Sequence, residues 1–318
     1  MMSKVKRVFG AATFNKNGPG GFKTREEVSE VLGFLKADGI DELDTARRYG
    51  DGTSEELIGE TPDFEGFTVA TKASPYVNKL TKENTITQCE TSLKALKRSS
   101  VDIFYIHVPD RSTPFEETAE AIHELYQRGC FKRFGLSNFT AEEVQRMYDI
   151  CKQNNYVLPS VYQGNYNLMT RKNEQELFPL LRKLGMKFYA FSPLAGGFLI
   201  KTPDQIKNAQ ANSRFDVSTR YGQMYSNLYC KDTLFLALEK FQNSCKEFNI
   251  KPSEACFSWL RNHSALEEGD AIILGASNIQ QLQDNLSDSK AAPLNADMIQ
   301  ILNDLWNIVK DEAPAYHI

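Results

Sequence analysis

The sequence contains few of the features that mark disulfide-rich, membrane-bound or nucleic-acid-binding proteins. Its six cysteines are scattered over 318 residues without a CxxC pair, which is typical of reduced thiols in the cytosol rather than of a disulfide framework or a metal site. No apolar run approaches the length of a membrane span, and no signal-peptide core follows the charged N-terminus. The formal net charge is −4 with both signs interspersed, which favours neither nucleic acid nor a membrane as partner. We therefore expect a soluble, cytoplasmic protein.

What the sequence does contain is a regular alternation of short apolar runs and longer amphipathic segments. Alternating strands and helices favour parallel strands with helical crossovers, and eight such units in about this length favour a closed (β/α)₈ TIM barrel over an open doubly wound sheet. A Rossmann domain is disfavoured because no Gly-x-Gly-x-x-Gly follows the first strand. The predicted strands are 7–12, 39–43, 67–71, 101–106, 132–136, 160–163, 187–191 and 271–274.

The predicted helices fill the gaps between these strands and follow the last one. No linker interrupts the pattern, so residues 1–318 are predicted to form a single domain. The longest irregular stretch, 194–230, follows the seventh strand and is a candidate lid, because loops of this length in compact domains are usually functional. The helical segments are 24–37, 54–59, 82–97, 114–128, 141–153, 174–184, 231–248, 252–262, 278–286 and 296–309.

Polar residues follow nearly every predicted strand, at the face where a barrel places its site. Asp44 ends the second strand, Tyr49 lies five residues later, Lys72 ends the third strand and His107 follows the fourth. Each of them alone is better explained by a turn, a cap or packing. Together they form a coherent set, because an ammonium beside a phenol favours the phenolate and an aspartate keeps that ammonium charged. Such a set is suited to protonating a carbonyl oxygen while a separate donor delivers a hydride.

At these residues the chain resembles the aldo-keto reductases over essentially its full length. A finer similarity joins residues 193–199 and Ser213-Arg214-Phe215 to the branch that includes aflatoxin aldehyde and succinic semialdehyde reductases. The motifs that carry the family resemblance are Asp44-Thr45-Ala46-x-x-Tyr49-Gly50, Thr71-Lys72, Ile106-His107, Gly135-Leu136-Ser137-Asn138-Phe139, Gln163, Ser192-Pro193-Leu194-Ala195-Gly196-Gly197, and Gly275-Ala276-Ser277 with Gln281-Leu282 and Asn285.

The resemblance implies a barrel that binds NADPH and reduces a small-molecule aldehyde or ketone. Tyr49 would be the general acid, Lys72 and Asp44 would tune it, and His107 would orient the substrate carbonyl. The remaining implied roles concern the cofactor and the substrate pocket. The positions that hold the nicotinamide carboxamide are matched by Ser137, Asn138 and Gln163. The loop that covers the pyrophosphate includes Ser192, Leu194, Gly196, Gly197 and Lys201. Tyr225 would line the substrate pocket. The branch contains dimers, so a homodimer is expected by analogy.

Two departures from the family pattern bear on the cofactor and the substrate. Many relatives place basic residues around the adenosine 2′-phosphate, but residues 276–285, with Ser277, Gln281 and Asn285, include none. Arg214 or Lys201 is then the candidate cation, so NADPH is predicted with NADH as the alternative. Relatives that prefer carboxylate-bearing aldehydes have arginines where this chain has Leu228 and Ile318, which favours neutral or apolar substrates.

Two other functions fit the same residues less well. Some proteins of this fold are cofactor-sensing regulatory subunits, and an intact set of four residues argues against that role without excluding it. A barrel enzyme that uses Lys72 as a Schiff-base nucleophile is the third hypothesis. The neighbouring Asp44 and Tyr49 favour an ammonium over the free amine which that chemistry requires.

Overall fold

Eight parallel strands close into a barrel, in which each strand pairs with the next along the chain and the last pairs with the first. The computed structural model describes residues 5–18, 20–211 and 213–317. The predicted (β/α)₈ barrel is confirmed, and every predicted strand overlaps an observed one. The strands are β1 Lys6–Gly10, β2 Glu42–Asp44, β3 Thr68–Ala73, β4 Val101–Ile106, β5 Phe131–Ser137, β6 Pro159–Asn165, β7 Lys187–Phe191 and β8 Ala271–Leu274.

Helices surround the barrel and lie between successive strands. Threonine side chains cap several of them: Thr24 and Thr140 each form a complete capping box, in which a glutamate three residues later bonds back to the cap. The helices are α1 Arg25–Ala37, α2 Thr53–Glu60, α3 Lys82–Ala95, α4 Phe115–Gln127, α5 Ala141–Gln153, α6 Leu177–Lys183, α7 Pro203–Lys207, α8 Arg220–Tyr229, α9 Asp232–Glu247, α10 Pro252–Asn262, α11 Ile279–Asp288 and α12 Ala296–Val309.

The segment after β7 differs from the prediction, because much of it is helical. A 3₁₀ helix covers Ala195–Ile200, and α7 and α8 follow it. In α8 the buried residues are Gly222, Tyr225 and Tyr229, whose three- and four-residue spacing places them on one helix face. That buried face is short and its flanking residues are polar, so the spacing of apolar residues is too weak to predict a helix from the sequence.

Two apolar cores result from this arrangement. The larger one fills the space between the strands and the surrounding helices. The smaller one lies inside the barrel, where alternate residues of each strand point inward. Its members are Val8, Ala70, Ile103, Tyr105, Val161, Tyr189, Ala271 and Ile273.

The same inward alternation continues to the carboxyl ends of the strands, where the residues become polar. Asp44, Lys72, Ser137 and Gln163 all lie at or near the carboxyl ends of their strands. The barrel therefore gathers them at one mouth. Across residues 5–18, 20–211 and 213–317, no helix is both long and apolar enough to cross a membrane.

Candidate active site

A buried ion pair lies at the centre of this mouth. Lys72 Nζ lies 2.5 Å from Asp44 Oδ1 and also donates a hydrogen bond to the backbone oxygen of Thr45 at 2.8 Å. The side chain of Lys72 is fully buried and that of Asp44 is 3% exposed. Burial lowers the pKa of Lys72, while the Asp44 carboxylate acts in the opposite direction. Asp44 therefore favours the charged form of a lysine that burial alone would deprotonate.

Tyr49 begins a tight turn after β2 and lies beside the ion pair. Residues 50–52 are all left-handed, with φ between 52° and 98°, and the turn leaves the tyrosine half-buried. Lys72 Nζ lies 5.2 Å from the centroid of the Tyr49 ring. Burial first, and then Asp44, raise the pKa of Tyr49 well above its usual range. The phenol therefore keeps its proton at neutral pH.

His107 directly follows β4 and packs against Tyr49. The two ring centroids are 5.6 Å apart in an edge-to-face arrangement. Burial lowers the pKa of His107 well below its usual range, and the positive charges of Lys72 and Arg48 lower it further. Its Nδ1 atom is buried and lacks a hydrogen-bond partner within the described part of the chain. A neutral imidazole has one N–H donor and one acceptor nitrogen, so this ring can hydrogen-bond a ligand oxygen.

Gln163 and Asn138 bond directly to this group, and Ser137 is connected to it through Asn138. Gln163 Nε2 donates to the second oxygen of Asp44 at 2.7 Å. Asn138 Nδ2 donates to the backbone oxygen of His107 at 2.9 Å and to Ser137 Oγ at 3.0 Å. All three residues are buried at the ends of β5 and β6. Two of the three predicted nicotinamide-binding side chains thus bond directly to the central residues, and the third, Ser137, does so through Asn138.

The backbone after β7 is held in an uncommon conformation. Ser192, Ala195, Gly196 and Gly197 have φ values of 53°, 52°, 68° and 98°, and Gly197 N donates to Leu194 O at 2.9 Å. Non-glycine residues rarely adopt positive φ, and such residues cluster at ligand-binding segments. Turns of this kind orient successive N–H groups in one direction, which is typical of anion-binding loops.

Side chains of α8 and the preceding loop cover this segment. Ser192 Oγ lies 3.2 Å from Tyr225 Oη, and a Cβ on Gly196 would lie only 2.2 Å from Cε1 of the same tyrosine. The Arg214 guanidinium lies 5.1 Å from the centroid of the Tyr225 ring. Arg214 is exposed and Lys201 is half-buried at the end of the 3₁₀ helix. The structure therefore brings Ser192, Gly196, Arg214 and Tyr225 together.

The remaining predicted cofactor residues surround the start of α11. The backbone N–H and the hydroxyl of Ser277 both donate to Gln281 Oε1, at 3.1 and 2.9 Å. Asn285 Nδ2 donates to the backbone oxygen of Gly275 at 2.8 Å, and Asn278 caps the helix. A helix N-terminus favours an anion through its free N–H groups and its dipole. No cationic side chain of residues 276–285 contributes to this anion-favouring surface.

Comparison with known proteins identifies the class to which this barrel belongs. The profile of the Aldo/keto reductase family matches residues 8–307. The chain belongs to the aldo-keto reductase family. It is 39% identical to Oxidoreductase sirO of Leptosphaeria maculans over 98% of this chain and 96% of that protein. It is 40% identical to Aflatoxin B1 aldehyde reductase member 2 of Rattus norvegicus, over 90% and 81% of the two chains.

A human relative places the chain in the same branch of the aldo-keto reductases. Aldo-keto reductase family 7 member A3 of Homo sapiens is 41% identical over 87% of this chain and 88% of its own length. The resemblance predicted from the motifs is therefore confirmed, down to the aflatoxin aldehyde reductase branch. As an aldo-keto reductase, the protein is an NAD(P)H-dependent oxidoreductase that acts on carbonyl compounds.

The aldo-keto reductase barrel also contains a polar layer that the sequence analysis missed. Glu55, in the first turn of α2, is fully buried and pairs with Arg47, whose Nη1 lies 2.9 Å from Glu55 Oε2. Thr71 Oγ1 donates to the other carboxylate oxygen at 2.5 Å. An acidic residue at a helix start is ordinarily explained by the helix dipole, so the sequence carried no signal of this burial.

Proposed function

We propose that this protein is an NADPH-dependent reductase of aldehydes or ketones in which Tyr49 protonates the carbonyl oxygen. The observation that carries the proposal is the 2.5 Å pair between Lys72 and Asp44 beside the half-buried Tyr49. A phenol is a weak acid near neutral pH, and the phenolate left after proton transfer needs a nearby positive charge. The Lys72 ammonium supplies that charge where developing negative charge requires it.

The residues at the mouth fit a nicotinamide cofactor, which supplies the hydride when it is bound. Ser137, Asn138 and Gln163 offer amide and hydroxyl groups for the carboxamide. The segment from Ser192 to Gly197, in which four residues have positive φ, suits the pyrophosphate. Holding both reactants against one carbonyl at near-attack distance accounts for a large part of the rate gain in such reactions.

The preference for NADPH over NADH rests on Arg214 and Lys201. The Ser277, Gln281 and Asn285 group supplies hydrogen bonds and a helix N-terminus but no cation. A phosphate dianion binds most tightly where a cation completes the site. We infer that Arg214 or Lys201 completes it, so removing that cation weakens NADPH binding and leaves NADH binding nearly unchanged.

For the substrate we propose neutral or apolar aldehydes and ketones. Leu228 is half-buried and packs against the core, so it offers no cation to a substrate carboxylate. Ile318 lies outside the described residues. The ratio of kcat/KM for an uncharged aldehyde to that for succinic semialdehyde tests the proposal, and a strong preference for the acid contradicts it.

Steady-state consumption of NADPH and of NADH with a reactive aromatic aldehyde tests the proposed activity. The expected result is turnover with NADPH preferred and near-complete loss in Tyr49→Phe. Tyr105→Phe is a control, because its ring also lies near Lys72 but its buried hydroxyl has no hydrogen-bond partner in the described part of the protein. Cofactor binding without any turnover of the unmodified protein would instead support a cofactor-sensing regulatory subunit.

Three further properties belong to the proposal. The whole chain acts as one barrel domain, it works in the cytoplasm, and it forms a homodimer as relatives of its branch do. Size-exclusion chromatography with light scattering tests the dimer. A monomer at micromolar concentration contradicts it.

A further inference from the structure

Glu55 is a buried carboxylate that the proposed reaction does not yet use. It is fully buried in the first turn of α2. One oxygen accepts a hydrogen bond from Thr71 Oγ1 at 2.5 Å, and the other lies 2.9 Å from Arg47 Nη1. Burial raises the pKa of Glu55, and the Arg47 charge opposes that rise. A buried ion pair of this kind is weak support for stability, so another role should be sought.

The contacts of Glu55 connect it to both chemical elements of the site. Thr71 immediately precedes Lys72 on β3, and Arg47 lies two residues before Tyr49 in the turn after β2. Arg47 is itself closely packed against the turn, because a Cβ on Gly52 would lie 1.1 Å from its Nη2 atom. One carboxylate thus ties the strand that carries the ammonium to the turn that carries the phenol.

Glu55 also acts on Lys72 through its charge. Burial lowers the pKa of Lys72, and the charges of Asp44 and, to a smaller extent, Glu55 oppose that lowering. The other titratable groups that face Lys72 are Tyr49 and Tyr105, whose ring centroids lie 5.2 and 5.5 Å from Nζ, and His107. All three of these groups are uncharged in the protonation states that burial favours.

We propose that Glu55 is a positioning residue of the reductase reaction, a second carboxylate that keeps Lys72 charged and fixes it relative to Tyr49. The inference rests on the proposed function, since it concerns the same proton donor. Arg47 supports this role, because its guanidinium lies 2.9 Å from Glu55 and favours the charged form of the buried carboxylate.

The pH dependence of kcat/KM for carbonyl reduction separates this role from simple support of the fold. Removing a negative charge lowers the pKa of every nearby group, so Glu55→Gln is expected to move the alkaline limb to lower pH by about 0.5 to 1 unit. Glu55→Asp keeps the charge and should restore the limb. Glu56→Gln is the matched control, because Glu56 is the next residue and pairs with Lys16 at 3.4 Å on the surface; it should leave the profile unchanged.

If Glu55→Gln alone does not fold, a double variant allows the same pH profile to be measured. Arg47→Met with Glu55→Gln removes the buried pair as a unit, a change that proteins often tolerate. Glu55 bonds to the residue next to Lys72 and Arg47 lies on its other oxygen, so removing both charges should move the alkaline limb in the same direction but by less than Glu55→Gln does. A uniform loss of rate at all pH values, with the alkaline limb unmoved in both variants, would overturn the inference while the proposed function stands. Absence of turnover in the unmodified protein would overturn both.

Discussion

Replacing Asp44 by asparagine should convert the buried ion pair into a buried, unpaired lysine. The side chains are nearly the same size, but asparagine has one acceptor oxygen where Asp44 accepts from both Lys72 and Gln163, so one hydrogen bond is lost together with the charge. Lys72 is fully buried, and removing one partner from a buried pair costs about 3 to 5 kcal/mol. The change therefore tests how strongly the fold depends on this pair.

The loss of unfolding free energy in Asp44→Asn should lower Tm by a measurable amount. At about 2.1 cal/mol/K per residue, 318 residues have an unfolding entropy of about 0.67 kcal/mol/K. A loss of about 3 to 5 kcal/mol then lowers Tm by about 4 to 8 °C. Glu120→Gln is the control, because Glu120 pairs at 2.7 Å with Lys82 and the two side chains are 49% and 39% exposed. An exposed pair contributes at most about 1 kcal/mol, so Tm should fall by less than about 2 °C.

The sign of the pH dependence provides a second check. Without Asp44, burial depresses the pKa of Lys72 further below its unfolded value of about 10.4. The unfolded chain then binds more protons than the folded one between the two pKa values, so stability rises with pH through that window. The Tm deficit of Asp44→Asn should therefore be larger at pH 6 than at pH 9. An equal deficit at both pH values, or no deficit, refutes the account of Lys72 as a buried charge held by Asp44.

Two further predictions concern the mouth and the interior of the barrel. Gly196→Ala places a Cβ 2.2 Å from Tyr225, whereas Gly197→Ala has the same kind of left-handed φ but meets only Lys201 Cε at 3.7 Å. Both variants should lose about 1 to 2 kcal/mol of stability. Only Gly196→Ala should also raise KM for the aldehyde, because it displaces the tyrosine. Equal KM values in the two variants would contradict this prediction. Burial raises the pKa of Glu42 and its Oε1 has no hydrogen bond in the described part of the protein. The folded protein binds the Glu42 proton more tightly than the unfolded chain does, so stability falls as pH rises through the raised pKa. Glu42→Gln should therefore stabilise the protein by about 1 kcal/mol at pH 8 and by less at pH 5. A free energy of unfolding in urea at pH 8 that is lower for Glu42→Gln than for the unmodified protein would contradict this prediction.

Three of the four central residues were predictable because the order of the strands in a parallel barrel shows which residues lie at the strand ends. Asp44, Lys72 and His107 each lie at or just after the end of a strand, and the ends of parallel strands meet at one mouth whatever their separation along the chain. Strand ends are also marked in sequence by the change from apolar to polar residues. The same rule located Ser137 and Gln163.

Side-chain partners that depend on packing could not be predicted in this way. The bond from Gln163 to Asp44 joins residues 119 positions apart, and nothing local distinguishes it from a contact to a ligand. The burial of Glu55 depends on how α2 packs against β3, and the residue pattern at a helix start does not predict that packing. The pKa of Tyr49 is likewise raised mainly by burial in the folded protein, whereas the sequence analysis emphasised the nearby lysine.

The most direct test of the central claim is the rate of hydride transfer in a single turnover of Tyr49→Phe with bound NADPH and an aromatic aldehyde. Fluorescence titration first establishes that the variant still binds the cofactor, with a Kd close to the unmodified protein's, because the removed hydroxyl makes no predicted cofactor contact. Loss of the general acid should slow the chemical step by about 10² to 10⁴-fold. Tyr105→Phe is the control, since its buried hydroxyl has no hydrogen-bond partner among the described residues, and it should keep its rate. A Tyr49→Phe rate within about tenfold of the unmodified protein's would contradict the assignment of Tyr49 as the proton donor.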